Sequence, residues 1–350
     1  MSHFSVLVIG DDHEKQLAPY HEFECTGKDD QYVQDLDITD ECREEFKDST
    51  ESMVRLANGT VVSYYDDQFY RNPTPEEAEK LHAFERTRKI HFIPEGAEAF
   101  QQPSDDFIEW LDDSYGMKAV PHGQEPDLED DHKYGYALLN EAGEVVKVID
   151  RTNPNKKWDW YQVGGRWSGF LKLKPGGEGG NGERSWMNRN DVIEAGYCDQ
   201  ATKCSIDFDA MRDKAGLEAA EAWDKAYAAH QGQTWEPWKV VGPKTNYDDA
   251  SREFYRNQPA VVALRAAFDN PFHEIDAYLT PRDQFIQEAR DRAITTFAVV
   301  KDSKWYQKGE MGWWGVVSDA KDQGEWNRQF NELLDGLPDD TVLTVVDCHI

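Results

Sequence analysis

Basic residues are scarce. The 350-residue chain carries 38 Lys and Arg against 68 Asp and Glu, a formal net charge of -30. A surface this acidic repels nucleic acid and anionic membranes, so direct binding to either is not expected. Long apolar runs are also missing. No stretch approaches the roughly 20 residues that span a bilayer. The opening MSHFSVLVIG has no basic flank and only a short apolar run, which does not read as a secretory leader. Cysteine is limited to Cys25, Cys42, Cys198, Cys204 and Cys348, an odd number with no CxxC pair. The expectation is reduced thiols in a cytosol. The chain has no G-x-x-x-x-G-K-[ST] and no H-E-x-x-H, and VLVIGDD lacks the glycines of a dinucleotide-binding turn. No solenoid-length repeat is present.

Twelve tryptophans argue for a packed fold, because disordered chains are poor in large aromatics. The acidity is lopsided. Residues 1–150 hold 36 acidic and 13 basic residues, net -23, whereas residues 151–350 hold 32 and 25, net -7.

HFSVLVIGDD reads as a buried strand ended by Gly10. LANGTVVSYYD places an Asn58-Gly59 turn between two short strands. PTPEEAEKLHAFERTRK predicts a helix capped by Thr74, and PSDDFIEWLDDSYG one capped by Ser104. YGYALLNEAGEVVKVID is a strand, a turn and a strand. PGGEGGNGE reads as a glycine linker. SIDFDAMRDKAGLEAAEAWDKAYAAH is a helix, and DDASREFYRNQPAVVALRAAF two helical pieces broken at Pro259. The last 70 residues predict a helix capped by Thr280, two strands, an amphipathic helix with Trp326, Phe330, Leu333 and Leu334 on one face, and a final strand.

With the first strand added, the order is β, a long excursion, then α–β–β–α–β. That is the order of a ferredoxin-like split βαβ unit. The expected class is therefore α+β, with residues 1–10 and 276–350 forming one sheet. An acidic α+β insertion would fill residues 11–150. Residues 151–275 would hold a basic aromatic hairpin followed by a helical segment.

That hairpin, WDWYQVGGRWSGFLKLK, is the first candidate site. Residues 151–174 contain six basic side chains against Asp159, net +5. Gly164 and Gly165 let a backbone turn or approach a ligand closely. Arg166 offers a planar fork to phosphate or carboxylate, and Trp158, Trp160 and Trp167 offer flat faces. These are the parts of a nucleotide pocket. They are equally the parts of an internal strut in which Arg166 stacks on tryptophan and pairs with the protein's own acids.

Three weaker candidates follow. In VVDCHI, strand alternation puts Asp347 and His349 on one face and Cys348 on the other, so Cys348 and His349 are poor partners for nucleophilic catalysis. FHEIDAYL supplies His273, Glu274 and Asp276, which could join His349 in an acid–base or metal site if the fold brings them together. No metal site is assigned, because histidine and carboxylate meet easily by chance in so acidic a chain. In GEMGWWG, Glu310 sits between glycines beside Trp313 and Trp314, as a pocket wall or simply a tight turn.

The stretches MSHFSVLVIGDD…LAPYHEFECTG, NPNKKWDWYQVGGRWSGF and GEMGWWGVVSD…LPDDTVLTVVDCHI resemble an uncharacterised family of bacteriophage and mobile-element proteins, end to end. The resemblance implies expression in a host bacterial cytoplasm. It carries over no activity, cofactor or catalytic residue. Joined to the charge, it gives the leading expectation of an accessory protein that inhibits a host defence factor. The partner would be a host protein with a basic, nucleic-acid-binding surface, met by an acidic face that imitates DNA. The alternative is a nucleotide-like small molecule, sequestered or cleaved at the GGRW motif.

Overall fold

A computed structural model describes residues 2–22, 25–28, 30–75, 77, 89–182, 193–242, 249–268, 273–312 and 315–350. Most of the helix expected over residues 73–89, and Trp313 and Trp314, lie outside them.

The main elements, in chain order, are β1 (His3–Ile9), β2 (Gln34–Asp37), α1 (Thr39–Lys47), β3 (Thr50–Arg55), β4 (Val61–Ser63), β5 (Glu98–Pro103), α2 (Phe107–Tyr115), β6 (Lys118–Val120), β7 (Gly135–Leu139) and β8 (Val145–Thr152). They continue with β9 (Trp160–Val163), β10 (Gln200–Thr202), α3 (Phe208–His230), α4 (Asp249–Asn257), α5 (Pro259–Ala267), α6 (Arg282–Arg292), β11 (Ala298–Lys301), β12 (Lys304–Gln307), α7 (Gln323–Asp335) and β13 (Val342–His349). The class is α+β. The chain divides into two compact units, one of residues 1–21 with 155–350, the other of residues 22–154. The segment from 155 to 275 therefore folds with the chain ends.

In the first unit the two ends do share a sheet. Its order is Gly179–Gly180, β10, β13, β1, β11, β12. β1 is antiparallel to β13 and parallel to β11, which it pairs directly, Val6 opposite Ala298. A ferredoxin-like split unit would seat a strand between those two. Here β12 instead folds back outside β11, through a two-residue turn with Asp302 and Ser303 at positive φ. Apolar periodicity identifies strands, but not their lateral order.

Both faces of this sheet are covered. On one, Leu7, Ile9, Val299, Leu343 and Val345 pack under Trp326, Phe330 and Leu334 of α7. Each large apolar side chain so buried contributes about 1.5–3 kcal/mol. Asp322 caps α7 by accepting from the Gly324 and Glu325 N–H groups. On the other face, Phe4, Val6, Val8, Val346 and Cys348 pack with Leu17 and Trp158. The helices α3, α4 and α5 build a separate core with Trp235, Ile275 and Tyr278. Pro259 opens α5, and α4 stops two residues earlier, as the sequence indicates.

The expected aromatic hairpin is not one. β9 pairs with β13, and Leu171–Lys172 pairs with Tyr197–Cys198. Gly164 and Gly165, at φ 72° and 53°, swing the chain away before β9 can fold back on itself. Part of the expected glycine linker is also ordered in the sheet, since Gly179 and Gly180 pair with Ala201 and Gln200.

The second unit has a four-stranded sheet, β2–β8–β7–β6, and a three-stranded one, β4–β3–β5. The Asn58-Gly59 turn links β3 to β4 as expected. α2 is capped by Asp106, which accepts from the Ile108 and Glu109 N–H groups, rather than by Ser104. Likewise Pro281 precedes α6 with no side-chain cap, so Thr280 does not serve there. Arg151 is buried in this unit. Its guanidinium donates to Asp30 Oδ2 at 3.1 Å, Asp35 Oδ1 at 3.2 Å and the Lys133 carbonyl at 3.0 Å. No helix among the described residues is long and apolar enough to cross a membrane.

Candidate functional site

The polar end of the first unit's sheet is built by register. In neighbouring antiparallel strands, directly opposed residues share a face. His3 of β1 lies opposite His349 of β13, which lies opposite Trp160 of β9. The next row is Ser5, Asp347 and Gln162. One row further, Leu7 and Val345 are already in the apolar core. The same sheet face thus changes from apolar to polar within two residues. Cys348 points to the opposite face, fully buried, and burial pushes its thiol well above the usual value. It is a small core side chain, as alternation requires.

The first row is a run of rings. His3 and His349 meet edge to face with centroids 4.9 Å apart, and Trp160 stacks on His349 at 5.1 Å and 18°. Each imidazole is anchored through Nδ1: His3 to Asp347 Oδ1 at 2.8 Å, and His349 to Asp159 Oδ1 and Oδ2 at 2.7 and 2.8 Å. A carboxylate oxygen accepts, so Nδ1–H is the donor of each ring, and Nε2 is the nitrogen left to take up or release a proton. Neither Nε2 makes a hydrogen bond among the described residues, and neither is sealed from solvent. The opening is narrow, since the His3 and His349 side chains are 11% and 5% exposed. Trp160, half exposed, forms its rim.

The GGRW turn holds this end in place. Asp347 Oδ2 accepts the Arg166 N–H at 2.9 Å. A second buried carboxylate, Asp199, accepts the Gly169 N–H at 2.6 Å and the Gly182 N–H at 2.9 Å. Its own main chain receives the Val345 N–H while Gly164 donates to the Val345 carbonyl. The glycines fit against these acids. A Cβ on Gly164 would fall 2.4 Å from Asp199 Oδ2. The close approach foreseen for Gly164 and Gly165 is therefore made to the protein's own carboxylates.

The other expected ligand residues divide. Arg166 is exposed, and its guanidinium has no ion pair or ring contact among the described residues, so it is not the stacked internal strut that the sequence allowed. Trp158 is buried on the opposite face, stacked on His21 at 4.4 Å with its Nε1–H donated to the Leu17 carbonyl. Trp167 packs against the α7 side of the core. Of the six, Trp160 and Arg166 are exposed, and Trp167 is part-buried.

Of the weak catalytic candidates, His349 is in the cluster and the other two are not. His273 packs in the helical core, stacked on Phe268 at 4.0 Å and hydrogen-bonded to Tyr278 Oη at 2.7 Å. Burial lowers its pKa. Glu310 pairs with Lys157 at 2.9 Å, and that bond holds its carboxyl below the ordinary value. No group of three or more His, Cys, Asp and Glu among the described residues is placed to hold a metal ion. The members that sequence reading missed are His3, Asp159 as a partner, and Asp199. The one signal for the last was an aspartate inside the buried run YCDQAT.

Neither a family model, nor a curated protein, nor a solved structure matches this chain.

Proposed function

We propose that the protein cleaves a small, ring-bearing phosphate ester of nucleotide type at the His3–His349 pair. The observation that supports this reading is the doubled dyad: two imidazoles, each with Nδ1 held by a carboxylate, lie 4.9 Å apart where the sheet face turns polar. Anchoring Nδ1 fixes the tautomer and aims Nε2 outward. One neutral ring takes the proton of an attacking water, and the other, protonated, gives its proton to the leaving oxygen. The phosphorus–oxygen bond to the leaving group breaks as the bond to water forms. Trp160 supplies a flat face for the substrate's ring and Arg166 a cation near its phosphate.

The test is a hydrolysis assay on the full chain with nucleoside phosphates, cyclic mono- and dinucleotides and bis(p-nitrophenyl) phosphate. One of these is expected to turn over, and His3→Gln and His349→Gln to slow it by about 10²-fold or more. Unchanged turnover in both variants, or none in the wild type, overturns the reading.

A second reading concerns the acidic unit and rests on one observation. α1 and α2 pack side by side through Phe46, Phe107 and Trp110, and Tyr115 donates to Glu45 at 2.6 Å. Their outer surfaces expose Asp40, Glu41, Glu44, Glu109, Asp112 and Asp113. Residues 22–154 carry 33 acidic against 13 basic side chains, net -20. Such a face suits a host protein with a basic, nucleic-acid-binding surface. Pull-down from a bacterial lysate at 50 and 500 mM salt tests it. A captured basic protein released by salt and displaced by duplex DNA supports the reading, and a salt-insensitive complex overturns it.

A further inference from the structure

Gln162 is the unengaged polar side chain of the histidine site. It stands on β9 opposite Asp347, two residues along the strand from Trp160. Strand alternation and register put Gln162, Trp160, Asp347 and His349 on one face of the sheet. The other polar groups of its row are in use. Asp347 holds His3 through Oδ1 and the Arg166 N–H through Oδ2, and Ser5 Oγ accepts the Phe297 N–H at 3.3 Å. The Gln162 amide makes no hydrogen bond among the described residues. The residue is half-buried, yet its amide oxygen and nitrogen are not sealed from solvent.

Its position relative to Trp160 gives that amide something to meet. Among the described strands β9 pairs with β13 alone. The Trp160 ring stacks on His349 at 18° and meets His3 at 81°, and the residue still stands 43% exposed. A substrate ring therefore has part of the indole left to lie on. Two residues of strand span about 7 Å, which sets Gln162 at the edge of such a ring rather than over its face. An amide presents an acceptor oxygen and an NH2 donor side by side. That pair answers the edge of a nucleobase two bonds at a time, because a donor and an acceptor are adjacent there too. A plain aryl ring offers no such edge.

We infer that Gln162 sets the specificity of the proposed hydrolysis, reading the donor–acceptor edge of a nucleobase laid on Trp160 while the ester phosphate sits at the His3–His349 pair. The inference rests on the hydrolytic reading and narrows it, from any ring-bearing ester to one that carries a nucleobase. Gln162 bonds to neither imidazole, so it acts on binding and not on the proton transfers.

The test uses the full chain and esters that share one leaving group, p-nitrophenolate. They are bis(p-nitrophenyl) phosphate, the p-nitrophenyl ester of thymidine 5′-phosphate, and that ester methylated at N3 of thymine, which removes the donor. The wild type is expected to prefer the thymidine ester to its N3-methyl form about tenfold in kcat/KM, as loss of neutral hydrogen bonds predicts. Gln162→Met keeps the length of the side chain and loses donor and acceptor. It should raise KM for the thymidine ester about tenfold with kcat nearly unchanged, the mark of binding lost equally from ground and transition states. It should leave kcat/KM for bis(p-nitrophenyl) phosphate within about twofold of wild type. A melting curve checks the variant's fold, and the wild-type comparison of the two thymidine esters decides the question should Gln162→Met not fold. Equal kcat/KM for those two esters, or an unmoved KM in folded Gln162→Met, overturns the inference and leaves the hydrolytic reading standing. No turnover of any of the esters overturns both.

Discussion

Gly165 packs so tightly on Asp347 that a Cβ built on it would lie 2.4 Å from the Asp347 Cβ. The glycine sits at φ 53°, and the next N–H, of Arg166, donates to Asp347 Oδ2. Gly165→Ala must therefore move a buried carboxylate that also anchors His3. The cost combines left-handed backbone strain with overpacking, and a loss of roughly 2–4 kcal/mol is expected. Arg166→Ala leaves the same backbone contact in place and should stay within about 0.5 kcal/mol of wild type. Urea unfolding of the two variants gives the comparison. Equal stabilities would mean that the turn does not depend on this contact.

The thiols give a pH prediction. Burial raises Cys25 and Cys348, and pushes Cys42 and Cys198 up to about 11. Unfolded thiols ionise near 8.5. Between those values the folded chain holds protons that the unfolded chain has released, so stability falls as pH rises. It is fully present below about pH 8 and declines through pH 9–11. Cys204 is the exposed thiol. Ellman's reagent at pH 8 should find one fast-reacting thiol in the native protein and five in denaturant. A second fast thiol in the native state would contradict the burial of the other four.

Arg151 tests the second unit. It is 8% exposed and shared between Asp30 and Asp35, with a third bond to a carbonyl. Removing one partner of a buried pair strands the other charge, at about 3–5 kcal/mol. Arg151→Ala should unfold residues 22–154 preferentially, seen as lost amide protection in β7 and β8. Arg151→Lys should rescue little, because a single ammonium cannot reproduce the fork that spans two carboxylates and a carbonyl. Uniform retention of protection in Arg151→Ala would refute a structural role for this residue.

The strands and helices at both chain ends were legible because each has a clean period: VLVIG and TVLTVVDC as buried runs, and Trp326, Phe330 and Leu334 at helical spacing. Pro259 and the Asn58-Gly59 turn were legible because their backbone chemistry is local. What escaped is everything set by register between distant residues. His3 meets His349 across 346 positions, and nothing near His3 announces a partner. Gly164 and Gly165 were readable as a close approach, but the approaching groups, Asp199 and Asp347, are distant in sequence. The net +5 of residues 151–174 left an anion pocket and an internal strut paired with the protein's own acids both open. The partners are set by distant residues: Arg151 is buried against Asp30 in one unit, while in the other Lys157 pairs with Glu310 and Lys172 lies over the Tyr197 ring.

The two dyads are unequal, and that separates positioning from folding. Asp159 is 38% exposed, and its carboxylate serves His349 and the adjacent Trp160 N–H. Asp347 is fully buried and serves both His3 and the Arg166 N–H. Asp159→Asn keeps its shape and loses the charge that stabilises an imidazolium, so turnover should drop at least tenfold with the melting temperature nearly unchanged. Asp347→Asn turns one buried oxygen into a donor that must face either His3 or the Arg166 N–H. It should lose both stability and turnover. Turnover unchanged in Asp159→Asn, measured beside an unchanged melting curve, would show that His349 does not act as an acid or base. The Asp159–His349 contact would then be a structural tie at the sheet's edge.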